Sequence, residues 1–173
     1  HKFICSRETG NRIVVDGTNI SEKDNINIYL DNVNINTSDD PALQIQSSVQ
    51  AQVYIYLEGI NNLNSEKRAA LQTDNAAKLT IDNSPDNSPN TTGELIATGS
   101  FGAGIGGGSN GGDGSDITIR GGSVTATSSY GAGIGGGSNW GDGSDITISG
   151  GSVTATSDSG AGIGGGSKGA GRN

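Results

Sequence analysis

A repeat of 29 residues dominates the second half of the chain. The segment GAGIGGGSNGGDGSDITIRGGSVTATSSY, residues 102–130, is followed directly by GAGIGGGSNWGDGSDITISGGSVTATSDS, residues 131–159, and then by a third GAGIGGGS. Self-similarity at a fixed period of this size indicates one small structural unit stacked on copies of itself. The two complete copies differ at only four positions, Gly111/Trp140, Arg120/Ser149, Ser129/Asp158 and Tyr130/Ser159.

Within each copy the apolar residues alternate with polar ones. Ile117 and Ile119 fall on one face with Thr118 opposite, and Val124 and Ala126 repeat this pattern after a Gly-Gly break. Short strands of this kind between glycine corners predict rungs of a parallel β-solenoid spaced about 4.8 Å apart. The 31 glycines could instead indicate disorder, but disordered Gly/Ser tracts do not keep β-branched residues in fixed alternation.

The first half carries the same repeat in degenerate form, at 27–29 residues. We predict an all-β parallel β-helix of about five to six rungs, forming one domain over residues 1–173. Degenerate rungs occupy 1–101, with a Pro-containing loop at 83–92; near-perfect repeats occupy 102–173, the last one truncated. Alignment predicts four core ladders: Ile28, Ile55, Leu79, Ile117 and Ile146; Leu30, Leu57, Ile81, Ile119 and Ile148; Leu43, Leu71, Ile105, Ile134 and Ile163; and Leu95, Val124 and Val153.

Charge and residue usage argue against several classes of function. Ten basic against eighteen acidic residues give a net charge of −8, which argues against a nucleic-acid partner. No apolar run is long enough to span a membrane, so we expect no membrane insertion. With a single histidine, His1, and a single cysteine, Cys5, the sequence offers no Ser/His/Asp or Cys/His set, and we expect no enzymatic activity.

Aromatic residues supply the candidate ligand-binding positions. Tyr29 and Tyr56 align in one outward column that continues as Thr80, Thr118 and Thr147, with Tyr54 beside Tyr56, while Tyr130 and Trp140 fall in corner loops. A tyrosine offers an apolar face and a hydroxyl on which a sugar ring can stack. Aromatic pairs between rungs can equally serve only to stabilise the sheet, and both interpretations stay open.

Calcium is the one cofactor for which the sequence offers candidate ligands. Asp31, Glu58 and Asp82 align in successive rungs with Arg120 next, so their repulsion is relieved either by a cation or by solvent screening. GGDGSDITI, residues 111–119, formally matches a calcium-binding nonapeptide, but its apolar residues are displaced and the period is 29. The candidate calcium ligands in this segment and its next copy are Asp113, Asp116, Asp142 and Asp145. These aspartates can also serve as corner residues that hydrogen-bond their own turns.

Two further functions receive weaker support. Thr125/Thr127 and Thr154/Thr156 form outward Thr-x-Thr pairs like those of ice-binding solenoids, but the equivalent upstream residues are Ile96 and Thr98. Polysaccharide lyases that share a β-helix use an acidic calcium-binding cluster with a basic proton acceptor. The sequence places no such cluster around the candidate lysines, Lys23, Lys67 and Lys78.

Short segments follow one another along the chain in the order NRIVV, INIYLDNVNI, PALQI, VYIYLEGINNL, AALQT, LTI, GELIAT and GAGIGGG…DITIRGGSVTAT. This order resembles that of the carbohydrate-binding-type β-solenoid modules of bacterial secreted and cell-wall proteins. The resemblance implies a right-handed parallel β-helix, a non-catalytic role and an extracellular or cell-surface location, and it transfers no binding residues. Our leading hypothesis is a surface module that binds carbohydrate or another surface through flat sheet faces. The alternative is a structural stalk or filament subunit that associates end to end through open rungs.

Overall fold

The chain folds into a parallel β-solenoid with three long sheets, as seen in a computed structural model that describes residues 1–4, 7–17, 20–73, 78–85 and 92–172. The first sheet contains β1 (Lys2–Ile4), β3 (Asn25–Asp31), β6 (Gln52–Glu58), β9 (Lys78–Asn83), β12 (Ile117–Ile119) and β16 (Ile146–Ile148). The second contains β4 (Asn34–Thr37), β7 (Ile60–Ser65), β10 (Glu94–Thr98), β13 (Ser123–Ser128) and β17 (Ser152–Ser157). The third contains β2 (Ile13–Val15), β5 (Leu43–Ile45), β8 (Leu71–Thr73), β11 (Ile105–Gly106), β14 (Ile134–Gly135) and β18 (Ile163–Gly164), and a short pair joins β15 (Gly143–Ser144) to β19 (Gly171–Arg172).

Each turn of the chain visits the three sheets in succession and returns one strand further along. The strands within a sheet are parallel, and the sheets hold six, five and six strands. This confirms the predicted fold class, a β-solenoid of five to six rungs; its right hand stays a prediction. The described residues contain no helix long and apolar enough to cross a bilayer. Most of the predicted Pro-containing loop, and Cys5, lie outside the described residues.

The core runs along the solenoid axis as stacked aliphatic side chains. In the third sheet the predicted ladder is confirmed along its whole length and begins one rung earlier, at Ile13. In the second sheet the predicted pairing of Leu95, Val124 and Val153 is also confirmed. Alternation with a period of two places the intervening residues outside, as expected for strands with one buried face.

In the first sheet the predicted alignment is wrong by two residues between β6 and β9. Leu79 pairs with Val53 and Ile81 with Ile55, whereas the alignment placed Leu79 opposite Ile55. A shift of two residues keeps every side chain on its own face, so the same residues are buried but in different ladders. On the outer face the shift places Thr80 beside Tyr54 and Asp82 beside Tyr56.

One buried polar residue interrupts the aliphatic ladder of the second sheet. Asn61 is fully buried and lies opposite Leu95 in the register. Its side-chain oxygen accepts a hydrogen bond from the Val33 amide at 2.9 Å, and its side-chain nitrogen donates to the carbonyls of Glu58 at 2.9 Å and Glu94 at 3.0 Å. Since both ends of the amide are hydrogen-bonded, the asparagine ties three successive rungs together at a corner.

Candidate functional site

Three half-exposed tyrosines form a cluster on the outer face of the first sheet, which we call the tyrosine face: Tyr29, Tyr54 and Tyr56. Tyr29 lies directly opposite Tyr56 in the register, and their ring centroids are 5.0 Å apart. Tyr54 and Tyr56 are two residues apart on one strand, with centroids 6.1 Å apart and planes within 8° of each other. The strand period therefore brings three rings together on one side of the solenoid.

Charged residues border the tyrosine face on both sides. Lys2 lies opposite Tyr29 on β1, and Asp82 lies opposite Tyr56 on β9. Burial raises the pKa of the Tyr56 hydroxyl, and the neighbouring Tyr29, Tyr54 and Asp82 raise it further, while Arg120 opposes them. The Tyr56 hydroxyl is therefore a neutral hydrogen-bond donor and acceptor at physiological pH.

Two of the predicted calcium-binding carboxylates lie beside a lysine. Asp31 and Glu58 are paired in the register, as predicted, and the Lys2 ammonium lies 3.1 Å from the first and 2.5 Å from the second. The nearly buried Glu58 also accepts a hydrogen bond from the Ser84 hydroxyl at 2.9 Å. These bonds, with Glu58 the larger cause, raise the pKa of Lys2. Asp82, predicted to continue this acidic column, lies opposite Tyr56 because of the two-residue shift.

The corner aspartates act on the backbone of neighbouring rungs. The Asp113 carboxylate accepts a hydrogen bond from the Asp142 amide at 2.8 Å, and Asp142 in turn accepts one from the Ala170 amide at 2.7 Å. Asp116 and Asp145 sit at equivalent corners with φ of 55° and 51°, a conformation that Asp tolerates better than most residues. Within the described ranges, no three His, Cys, Asp or Glu residues form a group that could hold a metal ion.

A second group of exposed aromatics lies at the corners of the regular repeats, and we call it the corner aromatic row: Phe101, Tyr130 and Trp140. Phe101 and Tyr130 lie one repeat apart, between the second and third sheets, and their rings stack with centroids 4.8 Å apart and planes within 8°. They are 44% and 45% exposed. Ser159 takes this position one repeat later, so the stack ends at Tyr130.

Trp140 follows a strand of the third sheet, and the backbone of Ser167 links it to Tyr130. The Ser167 amide donates to the Tyr130 carbonyl at 3.0 Å, and the Trp140 amide donates to the Ser167 carbonyl at 3.2 Å. Trp140 is 69% exposed, with the Lys168 ammonium 6.0 Å from its ring centroid. Its φ of 77° lies in the left-handed region, where a residue other than glycine costs about 1–3 kcal/mol. The equivalent residue one repeat earlier is Gly111, with φ of 83°.

A cleft of about 340 Å³ opens beside the Phe101 ring. The Arg68 guanidinium crosses it, donating to the Ser109 hydroxyl at 2.8 Å and to the Asp39 carbonyl at 3.2 Å. The Lys67 ammonium lies 2.6 Å from the Asp39 carboxylate, and this hydrogen bond raises the pKa of Lys67. The cleft therefore combines an apolar ring face with hydrogen-bonding groups of both kinds, and Asn110 completes its wall.

Sequence reasoning selected Tyr130 and Trp140 but missed Phe101 and this cleft. A signal for Phe101 was present, because it precedes the first GAGIGGG just as Tyr130 precedes the second. The threonine pairs lie as predicted, Thr125 opposite Thr154 and Thr127 opposite Thr156, on the outer face of the second sheet. Ice binding through them stays a prediction.

Comparison with known proteins supports the architecture. Three segments, residues 93–109, 117–138 and 146–167, match the family described as Beta helix repeat. Neither the curated proteins nor the solved structures contain a match to this chain. The matched segments lie in the part of the chain that carries the regular repeats, and with the stacked parallel sheets they support a β-helix repeat module.

Proposed function

We propose that the chain is a non-catalytic, extracellular surface module that binds carbohydrate through the tyrosine face. The observation that carries this proposal is the convergence of Tyr29, Tyr54 and Tyr56 on one outer side of a parallel sheet. A sugar ring presents an apolar face of C–H groups and a rim of hydroxyls. Aromatic rings with phenolic hydroxyls, bordered by Lys2 and Asp82, suit both features of that ligand.

Rigidity of the scaffold supports the same proposal. The tyrosines stand on adjacent strands joined in register over seven residue pairs, so their spacing is fixed before any ligand arrives. A preorganised surface loses little conformational entropy on binding, which favours attachment to an extended, regular polymer. The resemblance to surface modules noted above is the basis for the extracellular location.

The experiment is affinity electrophoresis of the purified chain through gels containing hydroxyethyl cellulose, xylan or polygalacturonate. We expect at least one polymer to retard the protein, and the variant Tyr29→Ala/Tyr54→Ala/Tyr56→Ala to lose most of that retardation. The matched control is Thr118→Ala/Thr147→Ala, which trims the same outer face without removing a ring. Circular dichroism and a thermal melt confirm that both variants fold.

Two results would reject the proposal. If none of the three polymers retards the unmodified chain, carbohydrate binding itself is unsupported. If the folded tyrosine variant migrates like the unmodified chain in a retarding gel, the tyrosine face is not the binding surface. A variant with Tyr29→Phe and Tyr56→Phe separates the contribution of the rings from that of the hydroxyls.

A structural role through end-to-end association is the second candidate, favoured by exposed isoleucines on the outermost described strands of the first and third sheets. Ile148 and Ile163 continue buried ladders but are 43% and 47% exposed. A further parallel rung laid on this edge would cover them. Light scattering over a concentration series should show growth that Ile148→Lys/Ile163→Lys abolishes; a constant monomer mass at high concentration would contradict this role.

A further inference from the structure

We infer that the corner aromatic row and its cleft form a second carbohydrate-binding site, so that one molecule can hold two polysaccharide chains. This inference rests on the proposed function for the class of ligand. It adds a site, a set of residues and a consequence, cross-linking, that the tyrosine face alone does not provide.

The fold does not require the exposed rings of the corner aromatic row. The repeat unit folds equally with Ser159 at the position of Tyr130 and with Gly111 at the position of Trp140. Trp140 even adopts a left-handed conformation that glycine takes without strain. A strained, largely exposed tryptophan in an otherwise nearly identical repeat points to a binding role.

The cleft beside Phe101 combines chemical groups that suit a sugar. One ring face of the stacked pair borders the cleft, where Arg68 and Asn110 supply donors and the Asp39 carboxylate supplies an acceptor. Its volume of about 340 Å³ lies in the range of small-ligand sites. An apolar platform with donors and acceptors at its rim fits a pyranose ring, whose hydroxyls both donate and accept.

The two sites lie at different places around the rung. Phe101 and Tyr130 follow strands of the second sheet and precede strands of the third, so they occupy the corner where these two sheets meet. In a three-sided rung this corner lies across from the first sheet, which carries the tyrosine face. One polysaccharide chain bound at the tyrosine face therefore leaves the corner free for another.

The test compares binding with cross-linking. The corner variant is Phe101→Ser/Tyr130→Ser/Trp140→Gly, in which the last two changes copy residues that the repeat itself uses at equivalent positions. Monomeric fractions of the unmodified chain, the corner variant and the tyrosine-face variant are mixed with whichever of the three polymers retards the unmodified chain. Gel retardation then reports binding, and light scattering of the mixture reports cross-linking.

We expect the unmodified chain to produce a large rise in scattering with a maximum at an intermediate ratio of protein to polymer, as bivalent binders do. Each single-site variant should still be retarded by the polymer, but at least several-fold more weakly than the unmodified chain. Neither variant should raise the light scattering of the mixture. Combining both sets of changes should abolish retardation.

The two proposals fail in different ways. If the unmodified chain is retarded but the tyrosine-face variant loses all retardation, or if the corner variant cross-links as strongly as the unmodified chain, the second site is overturned and the proposed function stands. If no polymer retards the unmodified chain, both are overturned. Ile148→Lys/Ile163→Lys in the same assay removes end-to-end association as a source of scattering.

Discussion

The two halves of the solenoid build the same third sheet by different kinds of contact. In the first half, Gln44 lies opposite Gln72, and both positions carry side chains. In the repeats the same position is Gly106, Gly135 and Gly164, with φ near +130°. A Cβ built on Gly135 would lie 2.0 Å from the Gly164 carbonyl oxygen.

The difference shows that near-identity of the repeats is a packing requirement. Where rungs meet backbone to backbone, each copy must leave the same space empty, so the sequence can vary only at exposed positions. Where rungs meet through side chains, as between Leu43 and Leu71, different residues can fill the interior, and the repeat can drift. The four differences between the two complete copies fit this interpretation, since Trp140 and Tyr130 are both exposed.

The largest expected effect is therefore that of a methyl group at the backbone contact. Gly135→Ala combines an unfavourable φ of 129° with a clash against the next rung, and we expect a loss of about 2–5 kcal/mol in the free energy of unfolding. Denaturant unfolding followed by circular dichroism measures it.

The matched control for that variant lies in the first half. A Cβ on Gly10 would meet only the Asn36 carbonyl oxygen, at 3.7 Å, so Gly10→Ala should change stability by less than about 1 kcal/mol. Equal losses for the two variants would show that the contact between Gly135 and the next rung is not what makes its substitution costly.

A smaller effect is expected at the polar residue inside the first-half core. Asn61→Leu keeps the branched shape and the number of side-chain heavy atoms but leaves the buried Val33 amide without its acceptor, and we expect a loss of about 1–3 kcal/mol. Asn62→Leu, on the outer side of the same strand, should change stability by about 0.5 kcal/mol or less. If Asn61→Leu were stabilising, hydrophobic filling would outweigh the three hydrogen bonds.

The contrast between the halves also explains which ladders could be predicted. From Ile105 to Ile163 the repeats are nearly identical, so alignment fixes the register directly. Between β6 and β9 no such identity exists, and Val53, Ile55 and Leu57 offer three inward residues against two, Leu79 and Ile81. A two-residue shift still stacks apolar on apolar, so the sequence alone could not decide between the alignments.

The candidate sites also differ in how far the sequence could predict them. The pairing of Tyr29 with Tyr56 was predictable, because both follow an Ile in similar strands. The cleft beside Phe101 was not, since it depends on Arg68 reaching Ser109, 41 residues later, across a rung lengthened by an insertion. Lys2 likewise meets Glu58 across 56 residues, and only the closed fold brings them together.

The smallest expected effect concerns Lys2 in the first half, where ion pairs supplement side-chain packing. Because the pKa of Lys2 is raised in the folded chain, its stabilisation is fully present below its ordinary value of 10.5 and is lost as pH rises through the folded pKa. The pKa of Tyr56 is also raised in the folded chain, so its contribution to stability is likewise lost as the pH rises through that pKa. Glu58→Gln removes the larger cause of the Lys2 shift, so the melting temperature should fall at neutral pH and decline less on going to alkaline pH.

Lys67→Met is the control. The pKa of Lys67 is raised by the exposed carboxylate of Asp39, and solvent screens this ion pair. We expect its melting temperature to follow the unmodified chain closely at neutral pH. Adding Tyr56→Phe to both variants removes the tyrosine contribution from the alkaline limb. Superimposable pH profiles for Glu58→Gln and the unmodified chain would mean that the Lys2–Glu58 pair does not help to hold β1, which its pairing with β3 and the Lys2–Asp31 contact then secure.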